Sequence, residues 1–177
     1  MTPVEFQNRF RNAQRPLPDG VELDLGKFRT FPQERIDELT IDDASKDILR
    51  EVGFPEEAAP FLSFAEKEDK ILRRLSSAFS FLSKDFDRYR LLGSNGSGDF
   101  ICIDEDNGSI VYLNHDAEMK RVFINSSLLQ FAESLCLMAE AMQSDYTIDF
   151  HDELSRIDPA STASDAMWPG EYEMMRE

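Results

Sequence analysis

Apolar positions along the 177-residue chain change period several times, and the changes mark its elements. Thr2-Pro3-Val4-Glu5 has the form of a capping box with proline in the first helical turn, and Phe6 and Phe10 follow on one helical face. Residues 16–41 break that pattern. Pro16, Pro18, Gly20, Gly26 and Pro32 interrupt any regular element, and Leu17, Val21, Leu23, Phe28 and Phe31 are left as scattered apolar anchors in an irregular stretch. Asp42-Asp43 opens a helix with apolar positions at Ile48, Leu49 and Val52; Gly53 suits the positive-φ position that ends it, and Pro55 prevents continuation. Pro60 to Phe64 reads as a short strand. Ile71, Leu72, Leu75, Ala78, Phe79 and Leu82 recur at helical spacing and predict a helix over 66–84.

The middle of the chain alternates differently. Arg88–Leu92, Asp99–Asp104, Ser109–Leu113 and Arg121–Ile124 are four short apolar runs. Gly93-Ser94-Asn95-Gly96-Ser97-Gly98, Asn107-Gly108 and the polar His115-Asp116 segment separate them, which predicts an antiparallel meander with a hairpin at Asn107-Gly108. Ser127-Leu128-Leu129-Gln130 is a second capping box. It opens the most regular helix, with Leu128, Phe131, Ala132, Leu135, Met138, Ala139 and Met142 on one stripe. Phe150, Leu154 and Ile157 suggest a short helix, Asp158-Pro159 a turn, and Trp168, Tyr172 and Met175 a segment that packs back on the body. Together these elements make an α+β chain of single-domain size over residues 1–177.

Composition narrows the function classes. Lys and Arg number 19 against 35 Asp and Glu, a net charge of −16. That surface repels duplex nucleic acid and anionic membranes, and it favours a basic partner protein. No run approaches the roughly 20 apolar residues of a membrane helix, and the first residues lack the apolar core of a secretion signal. A soluble, cytoplasmic protein is expected. Cys102 and Cys136 lie in apolar contexts and read as reduced core thiols.

The acidic stretch Asp104-Glu105-Asp106-Asn107-Gly108 is the first candidate site. Counted from Asp104 as a calcium loop, position five is Gly108, position six Ser109 and position twelve His115, where that loop needs an oxygen ligand, glycine and glutamate. It therefore reads as a solvated turn. His115-Asp116 and His151-Asp152 hold the only histidines, and nothing in their spacing brings them together as a metal site. The triple-glycine run at 93–98 joins two strands, whereas a phosphate cradle runs from strand into helix. Gly-x-Ser-x-Gly is absent. Residue chemistry thus assigns no catalytic residue, no metal and no cofactor, and favours binding over catalysis.

In order along the chain, the motifs Leu49-Arg50-Glu51-Val52-Gly53-Phe54-Pro55, Phe61-Leu62-Ser63-Phe64, Tyr89-Arg90-Leu91-Leu92-Gly93, Ile101-Cys102-Ile103-Asp104, Gly108-Ser109-Ile110-Val111-Tyr112-Leu113 and Phe123 through Phe131 resemble the SUKH superfamily, in particular its immunity proteins. Ile157-Asp158-Pro159-Ala160 and Trp168 resemble that group's ending. The resemblance covers about residues 40–170, and Asn125-Ser126-Ser127-Leu128 with the following phenylalanine is its most specific part. It implies a single α+β domain with a mixed, largely antiparallel sheet flanked by helices. It also implies a non-enzymatic protein that binds and neutralises a cognate bacterial toxin, often a nuclease. Fungal regulators of cell-wall assembly belong to the same superfamily, so an intracellular interaction module with a non-toxin partner is the alternative. The resemblance carries over no catalytic residue, and Asn125-Ser126-Ser127 reads as structural. Asp104, Glu105 and Asp106, expected on an exposed turn, are the residues assigned to the contact with a basic toxin.

Overall fold

A computed structural model describes residues 1–15 and 26–176. The breakers Pro16, Pro18 and Gly20 and the anchors Leu17, Val21 and Leu23 lie outside the described residues. Helix α1 (Pro3–Asn12) starts with the expected box. The Thr2 hydroxyl accepts from the Glu5 N–H at 3.3 Å, and the Thr2 N–H donates to the Glu5 carboxylate at 2.7 Å. Strand β1 (Phe28–Arg29) pairs with β2 (Phe54–Pro55) in a small antiparallel ladder. Between them lie α2 (Gln33–Asp37) and α3 (Asp43–Asp47), the latter running into a single wide turn over Ile48–Val52. Asp42 caps α3 by accepting from the Ser45 N–H at 2.9 Å. α2 falls in the stretch expected to be irregular; it forms because Ile36 is fully buried there and Arg35 donates to the Ile71 carbonyl at 2.7 Å. Gly53 sits at φ 71°, and a Cβ there would lie 1.7 Å from the Arg29 carbonyl oxygen, so the β1–β2 approach demands glycine.

The main sheet has six strands in sequence order: β3 (Glu57–Ala58), β4 (Leu62–Ser63), β5 (Tyr89–Asn95), β6 (Phe100–Asp104), β7 (Ile110–Asn114) and β8 (Lys120–Asn125). Every pairing is antiparallel, as the meander reading expects. Its two faces are both covered. Leu92, Ile101, Ile103, Ile110 and Ile124 join the main core, under α1 and α5 (Leu128–Gln143). Tyr89, Leu91, Cys102, Val111 and Leu113 form a second cluster on the opposite face. In the main core Phe6, Phe10, Phe28, Phe54, Phe64 and Phe131 form a ring-to-ring chain with centroids 5.1–6.4 Å apart.

The helix expected over 66–84 is corrected. Only α4 (Leu75–Ala78) is helical α structure there. Leu72 donates to the Leu91 carbonyl at 2.7 Å, Leu91 donates to Arg73 at 3.0 Å, and Arg74 bridges Arg90, so this stretch continues the β4 edge of the sheet. Ile71 and Leu72 then belong to the main core, whereas Leu75, Phe79, Leu82 and Phe86 cover the opposite face. The apparent helical period arises from a chain that crosses the sheet edge and serves two cores. After α5 come α6 (Phe150–Ile157), a tight turn over Pro159–Thr162 and α7 (Met167–Arg176), which carries the fully buried Trp168. Among the described residues no helix is long and apolar enough to cross a membrane.

Candidate partner-contact site

The β6–β7 connection is longer than a two-residue hairpin. β6 ends at Asp104 and β7 starts at Ile110, with Gly108 at φ 76° donating to the Asp104 carbonyl at 2.8 Å. Its three consecutive carboxylates meet different surroundings. Asp104 is fully buried; its two oxygens take a bidentate fork from Arg88 at 2.8 and 2.7 Å, and the Arg121 guanidinium stands 3.5 Å away. The hydrogen bonds that Arg88 donates to Asp104 hold the Arg88 pKa above its ordinary value. The Glu105 side chain is 9% exposed, accepts from Arg90 at 2.8 Å and from the Thr40 N–H at 3.1 Å, and has Arg74 at 3.7 Å. Asp106 is 60% exposed and pairs with Arg88 at 2.8 Å. The exposure expected of all three thus holds for Asp106 alone. A strand-end carboxylate that points inward meets Arg88, just ahead of β5, and Arg121 of β8, two strands away, and a charge so placed has to be paired.

His115 follows β7 and is held by Asp99. The Asp99 carboxylate accepts from the His115 N–H at 2.9 Å and contacts His115 Nδ1 at 2.7 Å, and Asn95 donates to it at 3.0 Å. Asp116 lies 3.2 Å from the other ring nitrogen. His151 sits on α6, a separate element. Among the described residues, no three His, Cys, Asp or Glu side chains are grouped to hold a metal ion. Cys102 and Cys136 are free and buried; burial pushes the Cys102 thiol well up and the Cys136 thiol to about 12, so both are un-ionised at neutral pH.

Asn125-Ser126-Ser127 enters α5 through a buried polar network. Trp168 Nε1 donates to Asn125 Oδ1 at 2.9 Å, and Asn125 Nδ2 donates to Ser161 Oγ at 2.9 Å and Ser134 Oγ at 3.1 Å. Asp158 accepts from the Ser126 N–H at 2.6 Å and its hydroxyl at 3.0 Å. Ser161 donates to the Ile124 carbonyl at 2.7 Å. Ser127 caps α5 by accepting from the Gln130 N–H at 3.2 Å, while Gln130 turns its amide to the Ile157 carbonyl at 3.0 Å instead of closing the box. These groups are spent on one another, which makes the motif a joint between β8, α5 and α7. Sequence reasoning found Asn125, Ser126, Ser127, Asp158 and Trp168, but neither Ser134 and Ser161 nor the arginine ladder around Asp104 and Glu105. Arg74, Arg88, Arg90 and Arg121 carry no local motif; their alternation along paired strands is the one signal that could have shown it.

Compared with known proteins, residues 21–173 match the model of the SUKH-4 immunity protein family. Neither the curated proteins nor the solved structures return a match.

Proposed function

Because this chain belongs to the SUKH-4 immunity protein family, we propose that it protects a bacterium by binding a cognate toxin in the cytoplasm and blocking it, without catalysis and without a cofactor, nucleic acid or membrane partner. The observation that carries this reading is the family match itself, which runs from before β1 into α7 and takes in both the sheet and the Asn125–Trp168 joint. The net charge of −16 suits a basic, nuclease-type toxin, whose approach it would accelerate. In this reading the turn at Asp104, Glu105 and Asp106 takes part as a unit. Asp106 offers the solvent-facing carboxylate, and Asp104 and Glu105 fix the turn through their arginines.

The test is co-expression with the toxin domain encoded beside this chain's gene. Growth should be rescued, the two proteins should co-elute as a stoichiometric complex, and toxin activity should fall linearly to zero at equimolar ratio. Protection at far below equimolar amounts would contradict a non-enzymatic mechanism. Failure to form any complex would shift the assignment to an interaction module with a different partner.

A further inference from the structure

The turn between β3 and β4 presents a phenylalanine to water. Phe61 is 72% exposed and sits at φ 61°, a region that bulky side chains rarely enter. Asparagine or glycine would fill that position with less strain and no exposed ring. The neighbouring β5–β6 tip comes close to it: a Cβ on Gly96 would lie 3.0 Å from the Phe61 Cβ. The last turn of α7 adds Met174, 62% exposed. Phe61, Pro60, Met174, Met175 and Gly96 line a groove of about 560 Å³ that shares Phe61 and Met175 with an adjoining apolar groove of about 350 Å³. Both an exposed aromatic and methionine are side chains favoured where surfaces meet a partner.

The rim is acidic. Glu171 lines the groove half-buried, and among the described residues it has no hydrogen-bond or ion-pair partner. Burial raises its pKa, so its charge is held at a cost to the free protein. Glu57 borders the adjoining groove; its carboxylate accepts from the Ser63 hydroxyl at 2.9 Å, and among the described residues it has no cation. Of the 35 acidic residues ten fall within 140–177, against two of the 19 Lys and Arg, so half of the net charge belongs to the part of the chain that contributes α6 and α7.

We propose that this groove is the short-range anchor for the toxin: Phe61 and Met174 grip an apolar side chain on a basic segment of the partner, and Glu171 receives a lysine or arginine that flanks it. This rests on the toxin-binding reading above. The groove lies at the end of β6 opposite the Asp104–Asp106 turn, so the two surfaces are separable by mutation.

The experiment is surface plasmon resonance of an inactive variant of the toxin domain encoded by the neighbouring gene, over the full-length wild type and the variants Phe61→Asn, Glu171→Gln and Phe81→Ser. Phe81 is an equally exposed phenylalanine (75%) whose ring packs at a tilt against Phe79, over the other face of the sheet. Phe61→Asn should weaken binding at least tenfold through faster dissociation, with a melting temperature equal to or above wild type. Glu171→Gln should weaken it three- to tenfold with no loss of thermal stability, and Phe81→Ser should match wild type. Wild-type binding that both groove variants retain within twofold would overturn the anchor and leave toxin binding standing. No binding by wild type would remove both. A homodimer that Phe61→Asn dissociates, seen by sedimentation, would make the groove a self-association face and overturn the proposal.

Discussion

Removing the Glu105 carboxylate would leave the Arg90 guanidinium, 6% exposed, with Glu38 at the surface as its remaining carboxylate at 3.1 Å. A buried charge left with only a surface carboxylate loses most of its compensation, so Glu105→Ala is expected to cost about 2 kcal/mol, read from the midpoint of urea unfolding. Asp106→Ala, at an exposed pair, should stay within about 0.5 kcal/mol of wild type. A comparable cost for both would contradict the division of labour seen in the turn. One consequence bears on design. Alanine at all three positions mixes loss of a surface carboxylate with collapse of the arginine ladder, and Asp106→Ala alone is the variant that reads association. At this scale the sequence identified the acidic residues but not their directions. Strand alternation places Asp104 inward only once the strand end is known, and Glu105 turns inward because Thr40 and Arg90 come from distant parts of the chain.

The hairpins carry their own pH dependence. Burial of Asp99 pushes its pKa up, but hydrogen bonds from the His115 N–H, the Asn95 amide and the His115 ring outweigh that and leave it below the ordinary aspartate value. The unfolded chain therefore binds this proton more readily than the folded one. The stability it supplies is complete above the ordinary aspartate pKa and is lost as pH falls through the lowered folded value. Asp99→Asn is expected to flatten the acid limb of the stability profile, from about pH 5 downward, with thermal unfolding followed against pH. An unchanged acid limb would show that the Asp99–His115 contact carries no stability. Elements with local signatures were legible: the cap at Thr2, the Asp42 start, the long stripe of α5 and the meander's turn residues. α2 and the 66–84 crossing were not, because their burial is set by contacts such as Arg35 to Ile71 and Leu72 to Leu91, which no window of sequence contains.

Across the whole molecule, the excess of acid is the property most open to test. If it steers a basic toxin, the association rate should fall about tenfold between low and roughly 0.5 M salt, while dissociation changes little. A salt-independent on-rate would confine recognition to short-range contacts. Class and the order of the four middle strands were readable because a meander pairs neighbours in sequence, whereas β3 and the exposed face at Phe61 were not. In sequence that residue belongs to an apolar run, Phe61-Leu62-Ser63-Phe64, and only the positive φ turns it outward.

The hydrogen bond from Ser161 to the Ile124 carbonyl has a consequence at the margin of the sheet. A six-stranded antiparallel ladder must stop somewhere, and a last strand with open backbone groups invites further strands from other molecules. On β8 the turn at Pro159–Thr162 engages one end, and the exposed Lys120 and Arg121 occupy the other. The same polar joint that seats Trp168 thereby also ends the ladder, guarding against edge-to-edge polymerisation.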